Sequence, residues 1–161
     1  MQAVNKDAEV MRFFPNTLTL EQTQEFIKKM QQQFQKNGFC YYAVEKLEDE
    51  QFIGFIGLSE KDFKADFTPY IDICWRLHQS NWNKGYATEG ALAYLNFGFE
   101  VLKLKNIKSI TPVINLPFEH VMKKIGMYKV GTFKNLLLGD YPDLEEYLLY
   151  EINHPNMPLY K

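Results

Sequence analysis

Asn83-Lys84-Gly85-Tyr86-Ala87-Thr88-Glu89 has the most chemical character of any stretch in the chain. It follows Trp75-Arg76-Leu77, the end of an alternating segment, and precedes apolar residues at helical spacing. A loop that opens a helix presents backbone N–H groups with no intrahelical partner, and the helix dipole favours negative charge there. Gly85 and Ala87 lack bulk, so an anionic group can approach the backbone closely. Lys84 adds positive charge. The pattern suits a pyrophosphate. It also suits a glycine used for plain geometry at a helix entry, and the residues alone leave both readings open. The chain has no G-x-G-x-x-G run and no G-x-x-x-x-G-K-S/T run, so dinucleotide dehydrogenases and P-loop nucleotidases lack their phosphate grips here.

The elements that must position this loop can be read from periodicity. Residues 19–36 form a predicted helix, with Thr19 as cap, Gln22 as capping-box partner and Phe26, Ile27, Met30 and Phe34 on one face. Asn37-Gly38 ends it. Residues 39–45 and 51–58 predict an antiparallel hairpin, and 70–78 a third strand. In that strand Ile71, Ile73, Trp75 and Leu77 share one face; Tyr70, Asp72, Cys74 and Arg76 share the other. A helix is expected over 88–102, a strand over 107–114, a short helix over 117–125, and strands over 128–132 and 146–152. Pro112 inside the fourth strand predicts an edge, a bulge or a local splay. The expected fold is α/β (α+β), one domain over residues 1–153 with helices packed on a mixed sheet, followed by a loose tail over 154–161.

Bulk composition narrows the function. The chain has 161 residues, 46% of them hydrophobic, which is enough for a core without metals or cross-links, and no metal ligands are assigned. A net charge of -2 makes nucleic acid a poor partner, and Lys103, Lys105 and Lys108 read as a solvated surface. Cys40 and Cys74 read as free, buried thiols. No leader pattern or bilayer-length apolar run is present, so the expected setting is the cytoplasm, away from membranes.

Ile73-Cys74-Trp75-Arg76-Leu77 followed by Trp82 to Glu89 resembles the acetyl-CoA motif of the GNAT acetyltransferases, and most of all that of the RimJ/RimL-like branch. Glu9-Val10-Met11-Arg12-Phe13-Phe14-Pro15, Phe52-Ile53-Gly54-Phe55-Ile56-Gly57-Leu58 and Val121-Met122-Lys123-Lys124-Ile125-Gly126-Met127 agree with it, in the family's order. The resemblance implies a mostly antiparallel mixed sheet that splays at the acetyl-CoA site, with helices on both faces. It implies a pantothenyl arm in that opening, hydrogen-bonded near Trp75, Arg76 and Leu77. Backbone amides from Asn83, Lys84, Gly85, Tyr86, Ala87 and Thr88 would hold the pyrophosphate. Asn115 matches a position near the pantetheine, and it also reads as a helix cap.

The activity implied is transfer of an acetyl group from acetyl-CoA to an amine, on a small molecule or a protein N-terminus. A catalytically silent acyl-CoA-binding module is the alternative. An ammonium must lose a proton before it attacks, so a general base is expected. Asp72 is the first candidate and Glu119 the second; Glu89 reads as a capping residue, and Ser59 and His120 as satisfied by neighbours. Met122 stands where many family members have a tyrosine acid, so thiolate release falls to solvent or to Tyr128. Phe118 stands where a small hydroxyl residue is usual. The family opens with a strand and part of a helix before the segment matching Glu9 to Pro15, about 20 residues that this chain lacks. That leaves a sheet edge for a partner chain, such as a second copy in a homodimer, or a shortened member. The acceptor pocket is expected from residues 17–24, 58–67 and 131–142, where Phe63, Phe67 and Tyr141 are either lining or packing residues.

Overall fold

The computed structural model describes residues 1–154. A short helix α1, Gln2–Asn5, precedes the long helix α2, Leu20–Asn37. The start of α2 is set by Thr19, whose side chain accepts from Gln22 N while the Gln22 side chain accepts from Thr19 N. Two otherwise orphaned donors are satisfied in this reciprocal pair. Gly38 ends the helix in the left-handed region, at φ 78°.

Six strands follow: β1 Tyr41–Glu45, β2 Phe52–Lys61, β3 Tyr70–Leu77, β4 Asn106–Pro112, β5 Tyr128–Lys134 and β6 Glu146–Asn153. They form one sheet in the order β1-β2-β3-β4-β6-β5, so β1 and β5 are its edges. Every neighbouring pair is antiparallel except β3 and β4. The parallel pair is joined by helix α3, Tyr86–Asn96, as a parallel connection requires. Helix α4, Leu116–Lys124, lies between β4 and β5 in the chain.

Alternation along β2 separates the two helical layers. Ile56 and Leu58 join Ile73, Trp75, Leu77, Ala91, Leu95 and Phe99 in the larger core, beneath α3. Phe55 faces the other way, into a smaller core with Met30, Cys40 and Tyr41, and the Phe26 ring of α2 lies 5.2 Å from its own.

Three expectations from periodicity are revised. β2 continues past Leu58 to Lys61, because Tyr70 to Ile73 supply pairing partners all the way. α3 begins at Tyr86 and gives way after Asn96 to a wider π turn, Phe97–Val101, which sets Gly98 against Ile107 and Leu58. A Cβ on Gly98 would come 2.7 Å from Ile107 Cδ1. β4 stops at Pro112. Of the expected tail, only His154 falls within the described residues; its backbone N–H donates to Lys105 O, 3.2 Å away.

Asn5 anchors the N-terminal segment. It is wholly buried, its Nδ2 donates to Thr23 Oγ1 on α2 at 3.3 Å, and its backbone oxygen accepts from Leu18 N at 2.8 Å. Its Oδ1 accepts from Arg76 Nη1 of β3 at 2.8 Å.

Gly54 holds β2 close to the end of β3. Its φ is 144°, and a Cβ there would fall 2.1 Å from Arg76 O and 2.8 Å from Leu77 Cα. Those atoms are backbone and cannot swing aside. Gly54→Ala is therefore expected to lower the unfolding free energy by about 2–4 kcal/mol in urea denaturation, whereas Gly131→Ala, with nothing within 4 Å of its Cβ, should change it little.

Candidate active site

β3 is paired with β2 along its whole length, but it meets β4 only in its first half. β3 and β4 meet at the ladder pair Asp72↔Lys108, and the Ser109 hydroxyl donates to Ile73 O at 2.7 Å. Past these contacts the strands part, among the described residues, while β4 keeps its pairing with β6 as far as Pro112↔Tyr147. Of the three meanings open to Pro112, the splay is the one observed. A missing N–H costs no β3 ladder bond there.

The opening leads into a groove of about 1080 Å³. On one side it is lined by Trp75, Leu77, Asn83, Gly85, Tyr86, Ala87, Thr88, Thr111 and Asn115. The loop between β3 and α3 is built tightly. His78 caps a 3-10 turn, Gln79–Asn81, and Trp82 Nε1 donates to Leu77 O at 2.9 Å. Asn83 and Gly85 both take positive φ, 58° and 85°. Gly85 is the N-cap of α3 and brings no side-chain acceptor, so the first-turn amides of Tyr86, Ala87 and Thr88 lack a partner in the helix. A Cβ on Gly85 would meet nothing within 4 Å, so the space beside this turn is open. Unpaired amides, a helix dipole and open space fit a phosphate group. Lys84 is exposed and lies outside the groove lining, so its contribution is a field and not a contact.

Across the opening, Asn115 caps α4: its Oδ1 accepts from Phe118 N at 3.3 Å and its Nδ2 donates to Thr111 Oγ1 at 2.9 Å. Phe118 stacks on Trp75 with ring centroids 4.1 Å apart. Met122 is wholly buried in the larger core and far removed from proton chemistry.

The other half of the groove is lined by Phe14, Phe26, Tyr41, Phe55, Phe63 and Tyr70 around three groups of β3, Asp72, Cys74 and Arg76. Asp72 is 4% exposed and accepts a 2.5 Å hydrogen bond from the Tyr41 hydroxyl. Burial raises its pKa to about 6, against the opposing pull of Lys61 and the Tyr41 bond. Burial and the Asp72 charge push the Cys74 thiol up to about 12, which makes it an inert neighbour at neutral pH. Tyr41 and Tyr70 are raised for the same two reasons, and among the described residues the Tyr70 hydroxyl has no hydrogen-bond partner. Lys61 Nζ lies 4.9 Å from the centre of the Tyr41 ring.

Besides Lys84, two catalytic candidates lie outside the groove lining. Glu119 accepts from the Tyr150 hydroxyl at 2.6 Å and pairs with Lys123 at 3.0 Å, and these bonds lower its pKa. The Tyr128 hydroxyl donates to Glu151 at 2.5 Å and accepts from Asn153 Nδ2 at 2.7 Å, on the edge strand β5. Phe63 lines the groove; Phe67 packs on Phe133 at 4.9 Å, and the Tyr141 hydroxyl accepts from Asn16. Sequence reasoning missed Tyr41, Lys61 and Tyr70. Nothing local marks a tyrosine that meets an aspartate 31 positions away.

The GNAT acetyltransferase domain model matches residues 1–128. The chain belongs to the GNAT acetyltransferase family. It is 30% identical over 132 residues to YnaD of Bacillus subtilis, described as an uncharacterized N-acetyltransferase, covering 81% of this chain and 73% of that one. A GNAT-family acetyltransferase structure from Bacillus anthracis superposes with TM-score 0.76 at 27% identity, covering 95% of this chain and 86% of that one. A spermidine N-acetyltransferase from Vibrio cholerae, solved with CoA and spermine, has the same fold: TM-score 0.73, 17% identity, 96% of this chain and 88% of that one. This GNAT protein is an N-acetyltransferase with acetyl-CoA as donor and an amine as acceptor. Among the described residues no helix is long and apolar enough to cross a membrane.

Two outcomes follow from the geometry. Gly85→Glu puts bulk and negative charge beside the unpaired amides, and calorimetry should find acetyl-CoA binding weakened about 100-fold or more. Gly85→Ala carries the backbone cost alone and should lose far less. Asp72 also makes stability depend on pH. Its folded pKa of about 6 lies above the ordinary aspartate value of 3.8, so the native state holds the extra proton between them. The contribution of Asp72 to stability therefore falls as pH rises through that window, by up to about 3 kcal/mol. In melting curves, the stability of Asp72→Asn relative to the parent should increase from pH 4 to pH 7.

Proposed function

We propose that Asp72 is the general base for acetyl transfer to a primary amine. The observation that carries this reading is its position: a buried carboxylate, bonded to Tyr41, at the last β3–β4 ladder pair and facing the groove. A base with pKa near 6 is ionised at neutral pH and accepts a proton more readily than an ordinary carboxylate. It takes one proton from the ammonium, the neutral nitrogen forms its bond to the acetyl carbon, and the bond to sulfur breaks. The second proton leaves the nitrogen for the thiolate or for water. Tyr41 fixes the orientation of the carboxylate, and the aromatic walls keep bulk water from competing. Backbone N–H groups of β3, released by the splay, are suited to polarise the thioester carbonyl.

In the same reading the amides of Tyr86, Ala87 and Thr88 bind the pyrophosphate. Asn83 and Gly85 shape the turn, Lys84 adds long-range attraction, and the backbone of Trp75, Arg76 and Leu77, with Asn115 opposite, receives the pantothenyl arm. Glu119 and Tyr128 are given no catalytic role, because their polar groups are committed to Lys123, Tyr150, Glu151 and Asn153. The motif from Ile73 to Glu89 supports a RimJ/RimL-like assignment within the family, and two free cysteines suit a reducing cytoplasm.

The test is a pH profile of kcat/KM with any accepted amine. The parent should lose activity below about pH 6 as Asp72 protonates. Asp72→Asn should fall by about 10²–10⁴-fold and lose that inflection. Near-parental activity in Asp72→Asn would assign the base to another group or to water.

A further inference from the structure

Arg76 is a half-buried cation of the groove lining, and among the described residues it forms no ion pair. It projects from the β3 face that carries Asp72 and Cys74, opposite to Trp75 and Leu77 beneath α3. It therefore faces the acceptor half of the groove and not the α3 half. Its guanidinium is held 4.4 Å from the centre of the Phe14 ring and 5.1 Å from that of Phe55. Its one side-chain hydrogen bond goes to a neutral group, Asn5 Oδ1. Its Nε is shut off from solvent and has no partner among the described residues. Two carboxylates share the groove lining, and both are engaged: Glu9 is paired with Arg12, and Asp72 accepts from Tyr41.

A half-buried guanidinium held between two rings, with no acid beside it among the described residues, costs free energy unless an anion completes it. The guanidinium fork matches a carboxylate in two parallel hydrogen bonds. Along an extended strand Asp72 and Arg76 have Cα atoms about 13 Å apart. An ammonium and a carboxylate separated by a few bonds can bridge that span once each has its hydrogen bond. We infer that Arg76 binds a carboxylate of the acceptor, so that the substrate class is an amino acid, with its amine at Asp72 and its carboxylate at Arg76. The inference deepens the acetyltransferase reading above and rests on it for the direction in which the amine points.

The experiment uses pairs that differ only in the carboxylate: L-phenylalanine with 2-phenylethylamine, L-leucine with 3-methylbutylamine, and 4-aminobutyrate with propylamine. O-phosphoethanolamine tests phosphate in place of carboxylate. Thiol release from acetyl-CoA reads turnover, and saturation-transfer NMR reads binding without turnover. The parent should prefer at least one acid over its decarboxylated partner by about 10- to 100-fold, the range of a charge-assisted pair. In Arg76→Met, which keeps an apolar stem between the two rings, that ratio should fall to about one. Arg76→Lys, a charge without the fork, should be intermediate, and far-UV circular dichroism checks that both variants fold. Equal use of acid and amine, a preference that survives Arg76→Met, or a preference for O-phosphoethanolamine each overturns the inference and leaves the acetyltransferase reading intact. So does a protein that takes acetyl-CoA but binds no acid of the series. Failure to bind acetyl-CoA would instead remove the acetyltransferase reading, while the NMR ratio would still decide the role of Arg76.

Discussion

The structure turns on one interrupted ladder. Among the described residues β3 and β4 are the only parallel neighbours, and they stay together just long enough to form the Asp72↔Lys108 pair and the Ser109 bond to Ile73. Beyond that point their backbone groups face an opening in place of each other. An open ladder in the middle of a sheet is costly, because buried N–H and C=O groups need partners. The cost is tolerable here because each strand is held firmly from its other side. β2 pairs with β3 along its whole length, and β6 does the same for β4. Trp75 and Phe118 stack across the gap, and α4 is capped by Asn115 at its rim.

The same strand serves two environments. Its α3 face is apolar and completes the main core with Ile73, Trp75 and Leu77. Its other face carries Tyr70, Asp72, Cys74 and Arg76 in a row, in a layer otherwise built from Phe26, Met30 and Phe55. Desolvation governs this row. It raises Asp72, silences Cys74 and weakens the hold of Arg76 on its charge. A carboxylate desolvated in this way costs stability at neutral pH. The bond from Tyr41 limits that cost.

Much of the fold was legible from local signals. The capping box at Thr19 and Gln22, the stop at Gly38, the alternation in β3 and the glycine entry to α3 are each written in a few adjacent residues, because they depend on backbone geometry and period. Errors fell where tertiary contact overrides period. β2 runs on to Lys61 because β3 offers partners, and α3 widens into a π turn so that Gly98 can fit against Ile107.

For the site, the sequence by itself determined the glycine-bearing entry to α3, the splay as one of three readings of Pro112, and the face of β3 on which Asp72 and Arg76 lie together. Those are properties of neighbours along the chain. Only the tertiary structure decided which charged groups are engaged and which are left over. Glu119 and Tyr128 are bound up with Lys123 and Glu151, Asp72 is joined to Tyr41 from β1, and Arg76 is held by Phe14 and Phe55 with no acid beside it among the described residues. Those outcomes depend on residues brought together from distant parts of the chain, and on how much water their meeting excludes. Neither quantity is carried by residue type or spacing.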